Sequence, residues 1–400
     1  MANSYLSRTN GSAATLGAKY TVSVWLKRSG LANSAYHYII SHDAGGNPRT
    51  HIRFQDTTDD LSWYIRDASG TGTSLTTSRL FRDTSAWYHI VCAYDSTQST
   101  ASNRQKIYVN GVQETSFSSS GYVAQNTVSP LSENSNAFKI GSFGGSASNY
   151  FDGYMSHFVF VDGLALTPTS FGETDSTSGI WKFKAPSGIT FGNNGYHLKF
   201  ENSGALGTDS SGNSNTFTVN GNLKQALDTP SNTYSTMNPL DNYYFGGTFI
   251  NGNNTATGSS SSYTYCTSTL GVSSGKWYVE AKLSAADSSG SRIGVVARPS
   301  TATTNGIGDR QDEVAFQTNG NLKLNSSTTT SWGSTWTTND IIGIALDLDN
   351  NKIYFSKNGT FVASGNPSTG ANGQTITAAS STIDGFYRFG FGDNNSTGSS

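Results

Sequence analysis

Short runs with an apolar residue at every second position recur along this 400-residue chain. In TVSVWLKR (21–28), Val22, Val24 and Leu26 alternate with polar residues and Trp25, which is typical of a strand with one face on a core. Stretches rich in Gly, Ser, Asn and Asp separate these runs, and no long window shows helical periodicity. The pattern predicts antiparallel β-sandwiches, in which Trp25 needs cover from another segment.

Two of the runs carry an Asn-Gly turn, KIYVNGVQ (106–113) and KIYFSKNGTF (352–361). Each follows a longer apolar strand, WYHIVCAYDS (87–96) in one half and DIIGIALDLD (340–349) in the other. Asn and Gly both accept the positive φ of a type I′ turn, so each run predicts a hairpin. The presence of one such hairpin in each half of a 400-residue chain predicts two β domains in tandem.

Composition and charge narrow the function classes. The formal net charge is −2, which gives no electrostatic footprint for nucleic acid or an anionic membrane. The longest apolar run, IIGIAL (341–346), is too short to span a bilayer, and the first residues do not resemble a signal peptide. Cys92 and Cys266 lie in separate strand-like runs and predict buried free thiols. We expect no nucleic-acid partner, no membrane insertion, and assembly in a reducing cytoplasm.

The first half resembles a known family in the ordered motifs TVSVWLKR, WYHIVCAYDS, KIYVNGVQ, FKIGSF and FDGYMSHFVFVDGLALTPTSF. These motifs look like the laminin-G-like, concanavalin A-like lectin/glucanase domains. The resemblance covers residues 1–175 and implies a jelly-roll type sandwich. It implies little about function, because this fold hosts lectins, hydrolases and structural modules.

The second half resembles the SPRY domain in GVSSGKWYVEAKL, SRIGVVAR and DIIGIALDLDNNKIYFSKNGTF. SPRY domains are also concanavalin A-like sandwiches, so the expected fold is two tandem antiparallel β-sandwiches, at 1–175 and 241–400. SPRY domains usually finish with a further strand, whereas this chain stops at FGFGDNNSTGSS. We therefore expect the second sandwich to be truncated at its last strand or completed by a neighbouring segment.

Residues 176–240 form the predicted connector, in which YHLKF (196–200) and NTFTVNG (215–221) are interpreted as a strand pair. We expect this small β element to pack against one of the sandwiches. The succession from the Leu-Thr-Pro exit to Met-Asn-Pro-Leu-Asp resembles the connector of lectin-like virion proteins of marine tailed phages. This resemblance spans nearly the whole chain and implies a phage setting.

Catalytic and metal chemistry find little support in the sequence. A glucanase of this fold needs two carboxylates in a Glu-x-Asp-x-x-Glu pattern, and none of the glutamates begins one. The histidines show no HxH or HExxH spacing, and His89 and His157 are interpreted as satisfied sheet residues. We expect no catalytic residues and no metal site. Ca²⁺ is left open as a cofactor, with loop carboxylates as candidate ligands and solvated turn aspartates as the alternative. The candidates are Asp43, Asp56, Asp59 and Asp60.

Two loop residues are candidates for ligand binding, Trp332 in TTTSWGSTW and Arg310 in GDRQDE. Their alternatives are a packed strand end for Trp332 and a solvated loop charge for Arg310. Trp25, Trp87 and Trp277 are predicted to be core residues.

Together these observations predict a non-enzymatic structural and recognition protein of a tailed-phage virion, displaying glycan- or protein-binding sandwiches. It would be a tail fibre, a tail-associated protein or a capsid decoration, and would serve host adsorption. Its partners would be other virion proteins and host-surface glycans, in a homo-oligomer localised to the virion. The alternatives are a cellular or secreted SPRY or lectin-type binding protein and, less favoured, a glycoside hydrolase.

Overall fold

The computed structural model describes residues 3–31, 35–43, 46–133, 137–241, 248–258, 263–285, 290–298 and 305–393. The chain divides into two compact units, Met1–Tyr234 and Ser235–Ser400. Regular structure in the described residues consists of strands and three short 3₁₀ turns, at Ala101–Asn103, Pro168–Ser170 and Ala379–Ser381. The predicted all-β sandwich class is confirmed. No helix within the described ranges is long and apolar enough to cross a bilayer.

The first unit is built from antiparallel strands. Its described strands are β1 (Tyr5–Thr9), β2 (Lys19–Arg28), β3 (His37–Asp43), β4 (Arg49–Phe54), β5 (Asp60–Arg66), β6 (Gly72–Leu80), β7 (Trp87–Asp95), β8 (Gln105–Val109), β9 (Val112–Gln113), β10 (Phe117–Ser120), β11 (Ala137–Ile140), β12 (Gly153–Asp162), β13 (Gly172–Thr174), β14 (Trp181–Phe183), β15 (Tyr196–Leu198) and β16 (Thr218–Asn220).

Fourteen of these strands form two large sheets with an apolar core between them, and β13 and β14 pair with each other as a separate two-stranded sheet. The eight-stranded sheet has the order β10-β6-β5-β4-β3-β11-β1-β16, and the six-stranded sheet has the order β15-β12-β2-β7-β8-β9. Trp63 is fully buried in the core, with its ring centroid 6.2 Å from Tyr20 and 6.2 Å from Tyr94. Cys92 is buried and unpaired, as predicted.

A segment that we call the strap, residues 166–191, covers the outer face of the six-stranded sheet. Its Phe171 packs with Val91, Val159 and Val161, which point away from the main core. Trp25 is 3% exposed and its ring stacks 4.7 Å from His89. The cover that the sequence pattern requires for Trp25 therefore exists.

The strap is fastened by a buried polar contact. Trp181 of β14 donates a hydrogen bond from Nε1 to His89 Nδ1 at 2.9 Å, and His89 Nε2 lies 2.8 Å from Ser23 Oγ. The indole nitrogen can only donate, so Nδ1 accepts and the proton lies on Nε2. The interpretation of His89 as a satisfied sheet residue is confirmed, and His157 likewise contacts His197, with ring nitrogens 3.2 Å apart.

The two strands of YHLKF and NTFTVNG exist, but they do not pair with each other, so that part of the sequence interpretation is wrong. β15 pairs with β12 in one sheet, and β16 pairs with β1 in the other. The segment after β16 is held by a buried ion pair of 2.8 Å between Lys27 and Asp228. Trp87 donates a further hydrogen bond of 2.9 Å to the Asp228 carboxylate.

The second unit is a smaller sandwich. Its described strands are β17 (Thr248–Ile250), β18 (Thr255–Thr257), β19 (Thr264–Val272), β20 (Lys276–Lys282), β21 (Arg292–Val296), β22 (Glu313–Gln317), β23 (Leu322–Leu324), β24 (Ser327–Thr329), β25 (Ile341–Asp347), β26 (Lys352–Lys357), β27 (Thr360–Phe361), β28 (Gln374–Thr375) and β29 (Tyr387–Asp393).

A six-stranded sheet, β19-β29-β21-β22-β23-β24, faces a five-stranded sheet in which β20-β25-β26-β27 run side by side and β28 pairs with β26. Phe316, Trp336, Ile344 and Phe355 belong to the core between them. The FGFG stretch lies in β29, which pairs with β19 and β21 in the interior of its sheet. Cys266 is buried and free, as predicted.

Both predicted Asn-Gly hairpins are present with the same geometry. Asn110 and Asn358 have φ values of 48° and 50°, and the glycines after them have φ of 82° and 81°. Each asparagine also exchanges two hydrogen bonds with the neighbouring strand. His89 is the partner of Asn110, at 2.9 and 2.8 Å, and Ile341 is the partner of Asn358, at 2.8 and 2.8 Å. The asparagine side chain therefore extends the sheet ladder past the end of its own strand.

Candidate functional site

The outer face of the eight-stranded sheet carries a group of tyrosine and arginine side chains, most of which keep partial solvent exposure, although Tyr38 is buried. Because side chains alternate along a strand, Arg49, His51 and Arg53 of β4 point outward while Ile52 and Phe54 lie in the core. The strand register places Tyr64 of β5 and Tyr38 of β3 on the same outer face. His51 is opposite Tyr64, and Arg53 is opposite Tyr38. We call Tyr36, Tyr38, Arg49, His51, Arg53 and Tyr64 the Arg–Tyr face.

The side chains of the Arg–Tyr face stack on one another. The Arg53 guanidinium lies 3.6 Å from the ring centroid of Tyr36 and 5.3 Å from that of Tyr38. Its Nη1 donates a 2.6 Å hydrogen bond to the Tyr38 hydroxyl. Arg49 lies 5.5 Å from the ring of Tyr64. Guanidinium groups held over aromatic rings keep a fixed plane, so this face is an ordered array of flat groups.

His51 lies in the middle of this array. Its ring stacks 4.9 Å from Tyr64 and meets Tyr38 edge-on at 5.3 Å. Only 5% of the residue is exposed, and neither ring nitrogen has a hydrogen-bond partner among the described residues. Burial, reinforced by the charges of Arg53 and Arg49, holds the pKa of His51 well below its ordinary value of 6.5. His51 is therefore neutral at physiological pH.

The array continues across the sheet toward β1. Lys139 of β11 lies 5.3 Å from the ring of Tyr5, and its Nζ donates to the Gly145 carbonyl at 2.9 Å. The Tyr5 ring is itself 6.3 Å from that of Tyr150. Aromatic rings with cations beside them therefore extend over several strands. Such a surface can stack against flat or ring-shaped ligands and donate hydrogen bonds to their oxygen atoms.

Of the two loop residues predicted to bind ligand, Arg310 makes a tight internal ion pair. Its Nη2 lies 2.6 Å from Glu313 Oε1 and 3.2 Å from the Tyr265 hydroxyl, and the Arg310 and Glu313 side chains are 10% and 0% exposed. A guanidinium in this position neutralises a buried carboxylate. The alternative of a solvated loop charge is therefore wrong, and the ligand contact of Arg310 stays a prediction.

Trp332 packs at the edge of the core of the second unit. Its ring lies 5.7 Å from Phe316 and 6.0 Å from Phe355, both edge-on. This agrees with the alternative of a packed strand end. Trp25 and Trp87 are buried as predicted, at 3% and 9% exposure, but the prediction for Trp277 is wrong because it is 47% exposed. Trp277 lies on β20, which is an edge strand.

The candidate calcium ligands do not converge. The Asp59 carboxylate lies 2.9 Å from Arg28 and 3.3 Å from Arg82, and two guanidinium groups beside it disfavour a bound cation. Asp60 accepts a hydrogen bond from Thr58 at 2.9 Å, and burial raises the pKa of its carboxyl. Within the described ranges, no group of three or more His, Cys, Asp or Glu side chains is placed to hold a metal ion.

Asp43 and Asp56 complete the set of candidate calcium ligands. Asp43 pairs with Arg49 at 3.4 Å, at the opposite end of the sheet from Asp60, and Asp56 is half-buried in the turn after β4. In the second unit, Asp347 at the end of β25 accepts two hydrogen bonds from Asn350 of the following turn, at 3.1 and 2.9 Å.

Sequence reasoning looked for binding residues in loops and missed the Arg–Tyr face. The signal was present in the alternation RTHIRF (49–54), where cationic residues and a histidine alternate with Ile52 and Phe54. Alternation assigns these side chains to one face. It does not say whether another segment covers that face.

Comparison with known proteins agrees with this architecture. Residues 2–170 match the family model of the concanavalin A-like lectin/glucanases superfamily, and residues 276–374 match that of the SPRY domain. No curated protein matches the chain.

Solved structures similar to parts of the chain include the SPRY domain of human HERC1. That pair has 20% identity and a TM-score of 0.31, over 41% of this chain and 92% of the other. The heptameric SAP-like pentraxin from Limulus polyphemus has 17% identity and a TM-score of 0.29, over 41% of this chain and 71% of the other. A protein from Bacteroides ovatus described as carbohydrate-binding has 20% identity and a TM-score of 0.35, over 57% of this chain and 59% of the other.

The family matches therefore identify a concanavalin A-like lectin/glucanase domain at residues 2–170 and a SPRY domain at residues 276–374.

Proposed function

We propose that this chain is a non-enzymatic binding protein whose Arg–Tyr face binds glycans. The observation that carries this proposal is the stacking of tyrosine rings and guanidinium groups on the outer face of the eight-stranded sheet. Aromatic rings offer a flat apolar surface to the C–H groups of a sugar ring, and arginine donates several hydrogen bonds in one plane to sugar oxygens. The strap covers the corresponding face of the six-stranded sheet, so the two faces differ in accessibility.

The placement of carboxylates on this face supports binding without hydrolysis. Glycosidases hold two carboxyl groups roughly 5 to 9.5 Å apart across the scissile bond. On the outer face of β3–β5, Asp43 is level with Arg66 in the strand register, and Asp60 lies at the other end of β5. Six residues of strand separate Asp60 from Arg66, which is about 20 Å along the sheet. These two carboxylates are too far apart to form such a pair.

A binding assay with matched variants tests the proposed surface. Affinity electrophoresis or a glycan array, with and without EDTA, would compare the intact chain with Tyr36→Ala and Tyr64→Ala. Loss of one aromatic contact is worth about 0.5–1.5 kcal/mol, or a roughly 2- to 12-fold weaker affinity. Tyr234→Ala is the control, because Tyr234 is 46% exposed and lies outside the face. Binding that is equal in all three variants would place the site elsewhere.

A second assay tests the absence of hydrolysis. Incubation with laminarin, agar, alginate and peptidoglycan should release no reducing ends. Reproducible release that disappears on mutation of a single Asp or Glu would contradict the non-enzymatic proposal.

For the biological setting, we propose a tailed-phage virion, in which the chain serves as a fibre, tail-associated or capsid-decorating protein. This rests on the sequence resemblance of the connector and on a chain rich in Ser, Thr, Gly and Asn, in which only 13% of the residues are charged. Other virion proteins and host-surface glycans would be its partners, in a homo-oligomer. Mass spectrometry of purified particles should find this chain at stoichiometric copy number. Its absence from particles would favour a cellular or secreted lectin-type protein instead.

A further inference from the structure

The charge of the Arg–Tyr face is unusual for a surface that serves stability alone. Arg49 of β4 is directly opposite Arg66 of β5 in the strand register, and Arg53 projects from the same face of β4. Like charges directly opposite each other on neighbouring strands destabilise a sheet. Asp43 balances one of these charges, at 3.4 Å from Arg49. Asp60 is the other carboxylate on this face of β3–β5, so three arginines face two aspartates and an excess of one positive charge remains.

The side chains of Arg49 and Arg53 are partly exposed, and that of Arg49 is 32% exposed. The Nε atoms of Arg49 and Arg53 are buried without a hydrogen-bond partner in the described part of the chain, and so are both ring nitrogens of His51. Because these atoms are closed to solvent, a ligand would contact the outer guanidinium nitrogens of the two arginines instead. Arginine fits carboxylate and sulfate oxygens especially well, because its donors lie in one plane and remain charged.

From this geometry we infer that the Arg–Tyr face selects acidic glycans, those carrying carboxylate or sulfate ester groups, over neutral glycans of the same length. The inference rests on the proposed glycan-binding function and adds the ligand class. The tyrosine rings contact the sugar rings, and Arg49 and Arg53 contact the acidic substituents. His51, whose two ring nitrogens are buried, supports the Tyr64 and Tyr38 rings from within the array.

Isothermal titration calorimetry with three hexasaccharides tests this inference. The probes are an alginate hexamer for the carboxylate, a carrageenan hexamer for the sulfate ester, and laminarihexaose as the neutral ligand. At about 50 mM NaCl, at least one acidic hexamer should bind at least tenfold more tightly than laminarihexaose. At about 500 mM NaCl that preference should fall severalfold, because salt screens exposed charges. Comparison of the alginate and carrageenan arms identifies which acidic group is preferred.

Charge-removing variants locate the effect. Arg49→Gln and Arg53→Gln should each weaken binding of the preferred acidic hexamer at least threefold more than they weaken binding of laminarihexaose, because both hexamers lose arginine hydrogen bonds and only the acidic one loses a charge contact. Lys106→Gln is the matched control, because Lys106 lies on β8 in the six-stranded sheet. Its loss of one positive charge should leave the preference unchanged. The salt dependence of the intact chain needs no variant and stands even if one of them misfolds.

The possible outcomes separate the two proposals. Equal binding of acidic and neutral hexamers at low salt, with loss of binding in Tyr36→Ala, would overturn the acidic selectivity and leave glycan binding intact. An acidic preference that Lys106→Gln reduces as much as Arg53→Gln does would also overturn it. No binding of any hexamer would overturn the glycan-binding function and this inference with it.

Discussion

The contact between His89 and the strap predicts that acid weakens the first unit. His89 is fully buried and accepts the Trp181 indole N–H at Nδ1, so a second proton on that nitrogen would face the indole N–H directly. Burial lowers the pKa of His89 from an ordinary 6.5 to about 3. Protonation is therefore easier in the unfolded chain than in the folded one.

The sign and the size of the effect follow from this difference in pKa. Between pH 6.5 and about pH 3 the unfolded chain binds more protons at His89 than the folded chain does, so the free energy of unfolding falls as the pH falls. The contribution is fully present above pH 6.5. At about pH 5, linkage gives a loss of about 2 kcal/mol from this residue alone. Burial likewise lowers the pKa of His37, His157 and His197 to about 4, so the whole unit should be acid-sensitive.

The measurement is urea unfolding of the full chain, followed by tryptophan fluorescence, at about pH 7.5 and about pH 5. His89→Gln keeps an acceptor and a donor in the side chain but does not titrate. The other histidines titrate in both proteins, so the difference between the two pH dependences isolates His89. Between the two pH values, we expect the free energy of unfolding of the intact chain to fall by about 2 kcal/mol more than that of His89→Gln. The comparison is made for the unfolding transition that the substitution shifts. Equal losses in the two proteins would refute the buried neutral state of His89.

Three further outcomes are expected from substitutions elsewhere. Asp228→Ala should destabilise the first unit by about 3–5 kcal/mol in urea unfolding, because it leaves Lys27 charged and buried. The double variant Lys27→Met, Asp228→Leu should recover most of that loss, and equal losses in the single and double variants would contradict the ion-pair argument. Asn110→Ala should lower the free energy of unfolding by about 2 kcal/mol and Asn110→Gly by about 1 kcal/mol, because both variants lose the side-chain hydrogen bond but glycine keeps the positive φ. Thermal melts that rank the two variants in the opposite order would be inconsistent with the ladder extension. Trp336→Ala should lower the free energy of unfolding by about 3–5 kcal/mol and Trp277→Ala by about 1 kcal/mol or less, because only Trp336 is buried. Calorimetry that finds Trp277→Ala the less stable variant would contradict this assignment.

Local features of the fold were predictable from the sequence because local chemistry determines them. Alternation placed Val22, Val24 and Leu26 on the core side of β2, and all three are buried. The preference of Asn-Gly for positive φ gave both hairpins, with Asn110 and Asn358 in the left-handed region as expected. Such features depend on a few neighbouring residues, so one sequence is enough to identify them.

Features that depend on distant pairing were not predictable in the same way. The strand residues at 196–198 and 218–220 were recognised, but their partners lie in β12 and β1, far away in sequence. Alternation puts Trp277 on the same side of its sheet as the buried Leu346, yet β20 is an edge strand and the indole stays half-exposed. Likewise, alternation groups Arg49, His51 and Arg53, and only the position of the strap distinguishes the covered face from the Arg–Tyr face.

The late arrival of β15 and β16 affects how the first unit is made on the ribosome. β12 ends at Asp162, but the strand that completes the other sheet beside β1 ends at Asn220, 58 residues later. At the usual pace of elongation this is a delay of roughly 3 to 12 s, during which the ladder of β1 lacks a neighbour. The ladder of β12 gains its neighbour earlier, because β15 ends at Leu198. Unpaired strand edges are templates for association with other chains. A nascent chain that stalls within residues 163–217 would therefore be more prone to aggregation than one that stalls after residue 220.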